Sequence, residues 1–288
     1  MSPRRACLVV PAAPAAKLAK GQTLVADEAV LDLEDAVVPA LKDEARGAVA
    51  SALDGDWAAA AVAVRVNAIG SPWCHDDLIM LAASERAEVA AVLPKVEHPH
   101  DLAFADRLLD GAERAAGRTT PVRLLALIET ANGLSRVGEI ARASARLDGL
   151  VLGYADLAAS LGRPGAGAPR DWRFAQDAVI VAARAADIQA IDGPYLGVRD
   201  DDAFRAGVAH ARGLGFDGKW AIHPAQLSAL LEAFTPTADE VAEARGTLDA
   251  LAGAAAAGAG AVAVGDQMLD EALALAARRV LVRAGADR

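Results

Sequence analysis

The stretch at 123–156 reads RLLALIETANGLSRVGEIARASARLDGLVLGYAD and holds one strand–helix–strand unit. Its two short apolar runs, Arg123–Ile128 and Gly149–Leu152, have the length and the large aliphatic side chains of buried strands. The segment between them favours a helix, and an acidic residue follows each run, Glu129 after the first and Asp156 after the second. This order predicts two adjacent parallel strands joined by a right-handed crossover.

The same alternation repeats along the chain. The eight predicted strands are Cys7–Val10, Ala29–Leu33, Val62–Val66, Val89–Leu93, Arg123–Ile128, Gly149–Leu152, Gln189–Ile191 and Lys219–Ile222. Ala-rich segments between them predict helices at Lys42–Leu53, Leu102–Ala116, Ser135–Ala145, Ala175–Ala186 and Asp202–Leu214. Eight such units predict a closed (β/α)8 TIM barrel, which typically takes about 250 residues. A doubly wound open sheet is the alternative, and it lacks the expected Gly-rich phosphate fingerprint after its first strand.

Composition narrows the class of protein. The 288 residues are 54% hydrophobic and only 4% aromatic, which predicts an aliphatic, Ala-rich core. The formal net charge of −10 and the lack of a basic tract disfavour a nucleic-acid partner. Two cysteines, Cys7 and Cys74, form no disulfide framework and indicate a reducing, cytoplasmic compartment. Pro11 and Pro14 interrupt the N-terminal apolar stretch, and no run has the ~20 apolar residues of a membrane helix.

Polar or ionisable residues end nearly every predicted strand. They are Glu34, Asp35, Arg65, Asn67, Lys95, Glu97, Glu129, Asp156, Asp192 and His223. The carboxyl ends of the strands in a parallel barrel converge on one face, where active sites of this fold lie. The pattern therefore predicts a functional site on that face.

Two of these acids are candidate metal ligands. Glu129 and Asp156 follow consecutive strands, and one or two carboxylates with water and substrate oxygens are typical of Mg²⁺. Mn²⁺ would also fit, whereas no histidine cluster or cysteine pair has the spacing of a zinc site. Two helix-capping carboxylates are the alternative interpretation. Asp32, Glu34 and Asp35 form a further acidic group that would bind metal-bound water or position cationic side chains.

Arg65 interrupts an apolar stretch and is costly to bury without a partner. Its planar guanidinium suits a carboxylate held by two hydrogen bonds. That carboxylate belongs either to the substrate, which we favour, or to one of the neighbouring acids.

Five short motifs occur along the chain: LEDAV from Leu33, PKVE from Pro94, IET from Ile128, G-x-x-DL from Gly153 and IHP from Ile222. In sequence and in order they resemble the HpcH/HpaI aldolase/citrate lyase family, in its citrate lyase beta-subunit-like branch. This branch includes malyl-CoA and citramalyl-CoA lyases and malyl-CoA thioesterases. Together with their flanks the motifs span most of residues 5–227.

The resemblance implies a TIM barrel with Mg²⁺ on Glu129 and Asp156. It implies that Arg65 binds the carboxylate of a small 2-oxo acid and that Glu34 and Asp35 lie near the water shell of the metal. The other half of the substrate would be a coenzyme A thioester or an acyl-carrier equivalent. Three further residues are candidate substrate contacts: Lys95, paired with Glu97 beneath the pocket, Asp192 in a substrate loop, and Lys219 on coenzyme A.

The C-terminal segment forms a separate prediction. We expect residues 1–230 to form the catalytic barrel and residues 231–288 a helical extension. The resemblance implies a lid that supplies a catalytic aspartate, often across a subunit contact in a homotrimer or hexamer. The lid motif reads Met268-Leu269-Asp270-Glu271-Ala272, so Asp270 is present and Ala272 replaces the usual proline.

Local signals describe the rest of this segment. Thr237 and Glu240 predict a capping box at a helix start. Gly253–Gly265 predicts an extended or flexible connector, followed by a last helix from Gln267 to Arg283 capped by Asp266.

The resemblance predicts a magnesium-dependent carbon–carbon lyase. It would cleave a short 3-hydroxyacyl-CoA, such as malyl-CoA or citramalyl-CoA, reversibly to acetyl-CoA and a 2-oxo acid. The alternatives are a malyl-CoA-type thioesterase, a citrate-lyase beta-like subunit acting on an acyl-carrier thioester, an aldolase for free 2-oxo acids, and a catalytically silent ligand-binding barrel.

Overall fold

The structure is a computed structural model that describes residues 3–165, 167, 169–265 and 267–285. The chain divides into two compact units, Met1–Leu231 and Glu232–Arg288. None of the described helices combines the length and the apolar character needed to cross a membrane.

A closed parallel barrel forms the first unit. Its strands are β1 (Ala6–Pro11), β2 (Glu28–Asp32), β3 (Ala61–Arg65), β4 (Ala90–Leu93), β5 (Arg123–Ile128), β6 (Leu147–Leu152), β7 (Gln189–Asp192) and β8 (Gly218–Ala221). Each strand pairs in parallel with the next along the chain, and β8 pairs with β1 to close the barrel. The (β/α)8 prediction is confirmed, with strand ends within two residues of those expected.

Helices follow the strands. They are α1 (Ala15–Gln22), α2 (Lys42–Leu53), α3 (Cys74–Ala83), α4 (Pro99–Ala116), α5 (Ala131–Ser135), α6 (Val137–Ile140), α7 (Tyr154–Ser160), α8 (Arg173–Ala185), α9 (Asp202–Leu214) and α10 (Leu227–Phe234). Single 3-10 turns lie at Pro39–Leu41, Pro169–Trp172 and Pro224–Gln226.

One predicted helix is wrong. The segment Ser135–Ala145 contains only the end of α5 and the single turn α6, because Arg136 leaves the helical region with φ −115° and ψ 13°. Thr130 caps α5 by accepting a hydrogen bond from the Gly133 amide, so the helix begins earlier than expected.

The barrel interior contains side chains from all eight strands. They are Cys7, Val9, Val30, Ala63, Ala90, Val92, Leu125, Leu127, Val151, Ile191 and Trp220. Side chains alternate between the two faces of a strand. Asp32, Arg65 and Glu129 therefore continue the inward rows of their strands. Asp192 and Lys219, which neighbour Ile191 and Trp220, point to the outer side of the wall.

The second unit is built from two helices and a hairpin. α11 (Ala238–Ala256) begins at the predicted capping box, in which Thr237 and Glu240 bond reciprocally. β9 (Val262–Val264) pairs antiparallel with β10 (Gln267–Leu269), and α12 (Glu271–Arg283) follows. Packing of α11 on α12 buries a small apolar core of Ala244, Ala277 and Leu281.

Two predictions for this unit need correction. The expected connector Gly253–Gly265 begins inside α11 and ends with β9, so most of it is ordered by helix and strand pairing. The last helix starts at Glu271, because residues 267–269 pair with β9 and Asp270 is the N-cap. Asp266, the predicted cap, lies outside the described residues.

Candidate active site

The inward-facing arginine of β3 is held by an acid from β2. Arg65 donates from Nε to Asp32 Oδ1 at 2.8 Å and from Nη2 to Asp32 Oδ2 at 2.6 Å. Asp32 is buried and the Arg65 side chain is only 13% exposed, so the pair satisfies charges that would be costly to bury alone. One of the two predicted kinds of partner, a neighbouring acid, is thus Asp32.

Arg65 keeps a second binding edge. A guanidinium has five N–H groups, and Asp32 accepts from one on Nε and one on Nη2. The remaining edge, formed by Nη1 and Nη2, has Glu34 Oε2 at 3.2 Å from Nη1. This edge retains the planar fork that suits a second carboxylate.

Lys95 brings four of the predicted acids together. Its Nζ forms an ion pair with Glu34 and lies 3.8 Å from both Asp35 Oδ2 and Asp156 Oδ1. Its backbone amide donates to Glu129 Oε1 at 2.9 Å. The predicted pairing of Lys95 with Glu97 is wrong, since Lys95, two residues beyond the end of β4, pairs with Glu34.

The backbone at Lys95 is unusual. Its φ of +51° is in the left-handed region, which a non-glycine residue rarely adopts without support from its surroundings. In this conformation one residue contributes both its amide and its ammonium to the acidic group.

Glu129 lies at the end of β5 and is almost fully buried. Burial, with the nearby carboxylates of Glu34 and Asp156, raises the pKa of Glu129 to about 8. Gly153 makes room for it, because a Cβ there would lie 2.6 Å from both Cβ and Oε2 of Glu129. Burying a carboxyl among other acids is unfavourable unless a cation compensates it.

Asp156 reaches the same group from α7. It is the third residue of the helix, and its half-exposed side chain meets Lys95 as described above. The helix begins directly after Gly153, whose amide donates to Ile128 O at 3.0 Å. The two candidate metal ligands are thus carried by β5 and by the helix that follows β6.

The site carries an excess of negative charge. The groups linked by these contacts are the acids Asp32, Glu34, Asp35, Glu129 and Asp156 and the cations Lys42, Arg65 and Lys95. With every group ionised, five negative charges face three positive ones. One divalent cation would balance this excess.

A further observation concerns Glu34. Its buried Oε2 accepts no hydrogen bond from the described residues, and its ion-pair partner is Arg65 Nη1 at 3.2 Å. No group of three or more histidine, cysteine or acidic side chains in the described ranges is arranged to hold a metal ion. Glu129 and Asp156 would supply two carboxylates, and Mg²⁺ or Mn²⁺ accepts such a pair when water and substrate oxygens complete its coordination.

Two predicted site residues lie on the outer side of the barrel wall, and a third belongs to the second unit. Asp192 and Lys219 face outward and pair with each other at 2.5 Å between Oδ2 and Nζ. Asp270 belongs to the second unit, where its exposed side chain caps α12 by accepting hydrogen bonds from Ala272 and Leu273.

Sequence reasoning missed one contributor. Lys42 is buried, and its Nζ donates to the carbonyl oxygens of Leu33 and Glu34 at 2.7 Å each, which fixes the turn that carries Glu34 and Asp35. A lysine at the start of an amphipathic helix is normally expected to be solvent-exposed. No signal in the sequence therefore indicates that Lys42 is buried and binds the carbonyl oxygens of this turn.

The barrel is closed and parallel, and a cluster of acidic side chains lies at the carboxyl ends of its strands. This is the arrangement of a (β/α)8-barrel enzyme. Residues 5–224 match the HpcH/HpaI aldolase/citrate lyase model, and the chain belongs to this family of lyases.

Named relatives cover almost the whole chain. L-malyl-CoA/beta-methylmalyl-CoA lyase from Cereibacter sphaeroides is 36% identical, covering 93% of this chain and 90% of that protein. Citrate lyase subunit beta from Escherichia coli K12 is 37% identical, covering 98% of this chain and 93% of the relative.

A solved structure agrees with these relatives. It is the protein CitE from Mycobacterium tuberculosis in complex with magnesium, acetoacetate and coenzyme A. The two chains share 29% identity and a TM-score of 0.75, over 99% of this chain and 98% of the other.

Proposed function

We propose that the protein is a magnesium-dependent carbon–carbon lyase acting on a short 3-hydroxyacyl-CoA such as malyl-CoA or citramalyl-CoA. The observation that carries the proposal is the cluster of acids around Lys95, with Glu129 and Asp156 among them, next to the Nη1/Nη2 edge of Arg65. The malyl-CoA lyase relative and the neighbour that binds magnesium and coenzyme A support it.

The reaction needs a defined movement of protons and electrons. The substrate hydroxyl loses its proton, and the bond between the hydroxyl-bearing carbon and the thioester α-carbon breaks. A 2-oxo acid forms, and the electron pair passes to the thioester as an enolate, which is then protonated at its α-carbon. Acetyl-CoA and glyoxylate or pyruvate are the products, and the reverse sequence is a condensation.

The chain's residues divide this work. Glu129 and Asp156 would hold the cation, which supplies Lewis-acid polarisation of the hydroxyl and oxo oxygens when bound. Arg65 binds the carboxylate of the 2-oxo acid through its Nη1/Nη2 edge, while Asp32 fixes the orientation of the guanidinium. Lys95 neutralises Glu34 and so limits repulsion around the cation.

The resemblance supports a role for the C-terminal unit as a lid. Asp270 would be the general acid and base at the thioester α-carbon. The other predicted substrate contacts, Lys219 and Asp192, would act on coenzyme A or its loop only indirectly, because each is engaged with the other.

A second candidate is a subunit acting on an acyl-carrier thioester inside a citrate-lyase complex. The equal similarity to citrate lyase subunit beta favours it. Activity on a carrier-linked thioester without activity on the corresponding CoA thioester would select this candidate.

The deciding experiment is product identification by mass spectrometry. Malyl-CoA, β-methylmalyl-CoA and citramalyl-CoA are each incubated with the protein in magnesium-containing and in EDTA-containing buffer. We expect a shorter acyl-CoA and a 2-oxo acid only with magnesium, and loss of both products in Glu129→Gln and Asp156→Asn. Glu97→Gln, an acid on a neighbouring strand end with no contact to Lys95, is the matched control. Free coenzyme A with an intact hydroxy acid would instead identify a thioesterase.

Assembly and compartment are parts of the same proposal. We expect a homotrimer or hexamer, which light scattering would measure. The buried, unpaired thiols of Cys7 and Cys74 support a reducing compartment such as the cytoplasm.

A further inference from the structure

A buried polar network lies on the outer side of the barrel wall. Asp192 and Lys219 point away from the barrel interior, towards α8 and α9. Lys219 Nζ donates to Asp192 Oδ2 and to Gly193 O, both at 2.5 Å. The ion pair is almost fully buried, and the proposed reaction makes no direct use of it.

Tyr154 joins this network from α7. Its hydroxyl donates to Asp192 Oδ1 and accepts from Gln176 Nε2 at 2.8 Å. Gln176 Oε1 is in turn 3.1 Å from His210 Nε2 on α9. Burial and the Asp192 carboxylate raise the pKa of the Tyr154 hydroxyl far above its usual range, so it stays a donor.

The position of Tyr154 links the network to the metal site. Tyr154 is the first residue of α7 and Asp156 is the third. On the inner side, the preceding Gly153 is in close contact with Glu129, which leaves no room for a side chain. The first turn of α7 is thus fixed by Glu129 from inside the wall and by Asp192 and Gln176 from outside.

We propose that Tyr154 is a positioning residue for Asp156. Held by Asp192 and Gln176, it sets the first turn of α7 and with it the separation of the Asp156 and Glu129 carboxylates. The inference rests on the proposed function only in taking these two acids as the metal ligands. Groups that orient metal ligands typically change metal affinity about 10- to 100-fold when they are removed.

A neighbouring cavity explains why the hydroxyl is needed. About 340 Å³ of space adjoins Tyr154, bordered also by Trp172, Tyr195 and Phe204. The Trp172 ring packs against the Tyr154 ring at 5.4 Å between centroids, so the hydrogen bonds of the hydroxyl act together with this packing to hold the ring beside the cavity. Without them, the ring and the first turn of α7 gain freedom to move.

The test measures Mn²⁺ binding to substrate-free protein by electron paramagnetic resonance. Tyr154→Phe removes only the hydroxyl, and we expect the Kd for Mn²⁺ to rise about 10-fold. Tyr195→Phe is the matched control, because Tyr195 borders the same cavity but its hydroxyl is 3.5 Å from Asp201 Oδ2. We expect its Kd to equal that of the wild type. Circular dichroism confirms that both variants are folded.

A double-mutant cycle separates positioning from general loosening. If Tyr154 acts through Asp156, adding Tyr154→Phe to Asp156→Asn leaves the Mn²⁺ Kd where Asp156→Asn alone puts it. Equal Kd values for Tyr154→Phe and wild type, or additive effects in the cycle, would overturn the inference, as would a wild type that binds no Mn²⁺. A wild type that binds Mn²⁺ but cleaves no thioester refutes the proposed function alone.

Discussion

Arg65 illustrates how a buried cation is shared between the fold and a ligand. Its Nε/Nη2 edge is committed to Asp32, and that pair compensates the burial of both charges. The Nη1/Nη2 edge is next to Glu34, so a substrate carboxylate bound there would leave the pair with Asp32 intact. Lysine has one ammonium in place of two edges and cannot serve both partners in this way.

We therefore expect Arg65→Lys to fold and to lose about 100-fold in kcat/KM, mainly through a higher KM for the 2-oxo acid in the condensation direction. Arg184→Lys is the matched control, since Arg184 also forms a two-point pair, here through Nη1 and Nη2, with Asp217 next to the amino end of β8. Steady-state kinetics of the two variants measure the difference. Equal losses in both would show that the effect of Arg65 is structural only.

Single residues mark the limit of what sequence predicts about the site. The convergence of Glu34, Asp35, Lys95 and Asp156 follows from the rule that parallel strands end on one face, and the structure confirms it. The choice of Asp32 as partner of Arg65 depends on side-chain rotamers, which spacing does not encode. The left-handed backbone of Lys95 is likewise a tertiary effect, imposed by its neighbours.

At the scale of elements, strand alternation decides which residues share a site. The sequence places polar residues at the strand ends. Because side chains alternate along a strand, some of these residues face the interior and others face the outer wall. Asp192 and Lys219 belong to the outer row, because their neighbours Ile191 and Trp220 fill the interior. The boundaries of a strand therefore do not tell which of its residues face the interior, because this depends on the orientation of the strand in the barrel wall.

Helix prediction fails where local caps override composition. Ser135–Ala145 has the composition of a helix, yet the Thr130 cap starts α5 early and Arg136 ends it after a single turn. In the second unit, residues 267–269 pair as a strand, and this moves the helix start to Glu271. A helix-like composition does not reveal this pairing with the neighbouring strand β9.

Asp270 combines two roles that substitution can separate. It caps α12 through hydrogen bonds from Ala272 and Leu273, and it is the proposed general acid. Asparagine is as good an N-cap as aspartate but has no acid function, whereas alanine loses about 1 kcal/mol of cap stability.

We expect Asp270→Asn to keep the stability of the wild type and to lose about 100-fold or more in kcat. Asp270→Ala should lose the same amount of activity and should also unfold at a lower temperature. Thermal unfolding and turnover, measured on the same preparations, report the two effects. A fully active Asp270→Asn would exclude the acid–base role and leave only the cap.

At the scale of the whole molecule, the acidic cluster links folding, pH and metal binding. In the metal-free protein the pKa of Glu129 is about 8, well above the usual carboxyl range. Between the ordinary glutamate pKa of 4.5 and about 8, Glu129 keeps a proton in the folded state that it has released in the unfolded state. Raising the pH therefore destabilises the metal-free fold, and the loss is complete above about pH 8.

We expect the wild type in EDTA to lose on the order of 2 kcal/mol of unfolding free energy between about pH 6 and pH 9 through this group, beyond the change in Glu129→Gln. Glutamine keeps an acceptor for the Lys95 amide and has no charge to bury, so its profile lacks this component. Magnesium should restore the unfolding free energy of the wild type at the higher pH, because it binds only the folded state. It should leave the unfolding free energy of Glu129→Gln unchanged. Chemical denaturation across the pH series gives the unfolding free energy of the wild type and of Glu129→Gln, each in EDTA and in magnesium. Parallel curves for wild type and variant in EDTA would mean that Glu129 is already ionised at neutral pH, with its charge compensated by Lys95 alone.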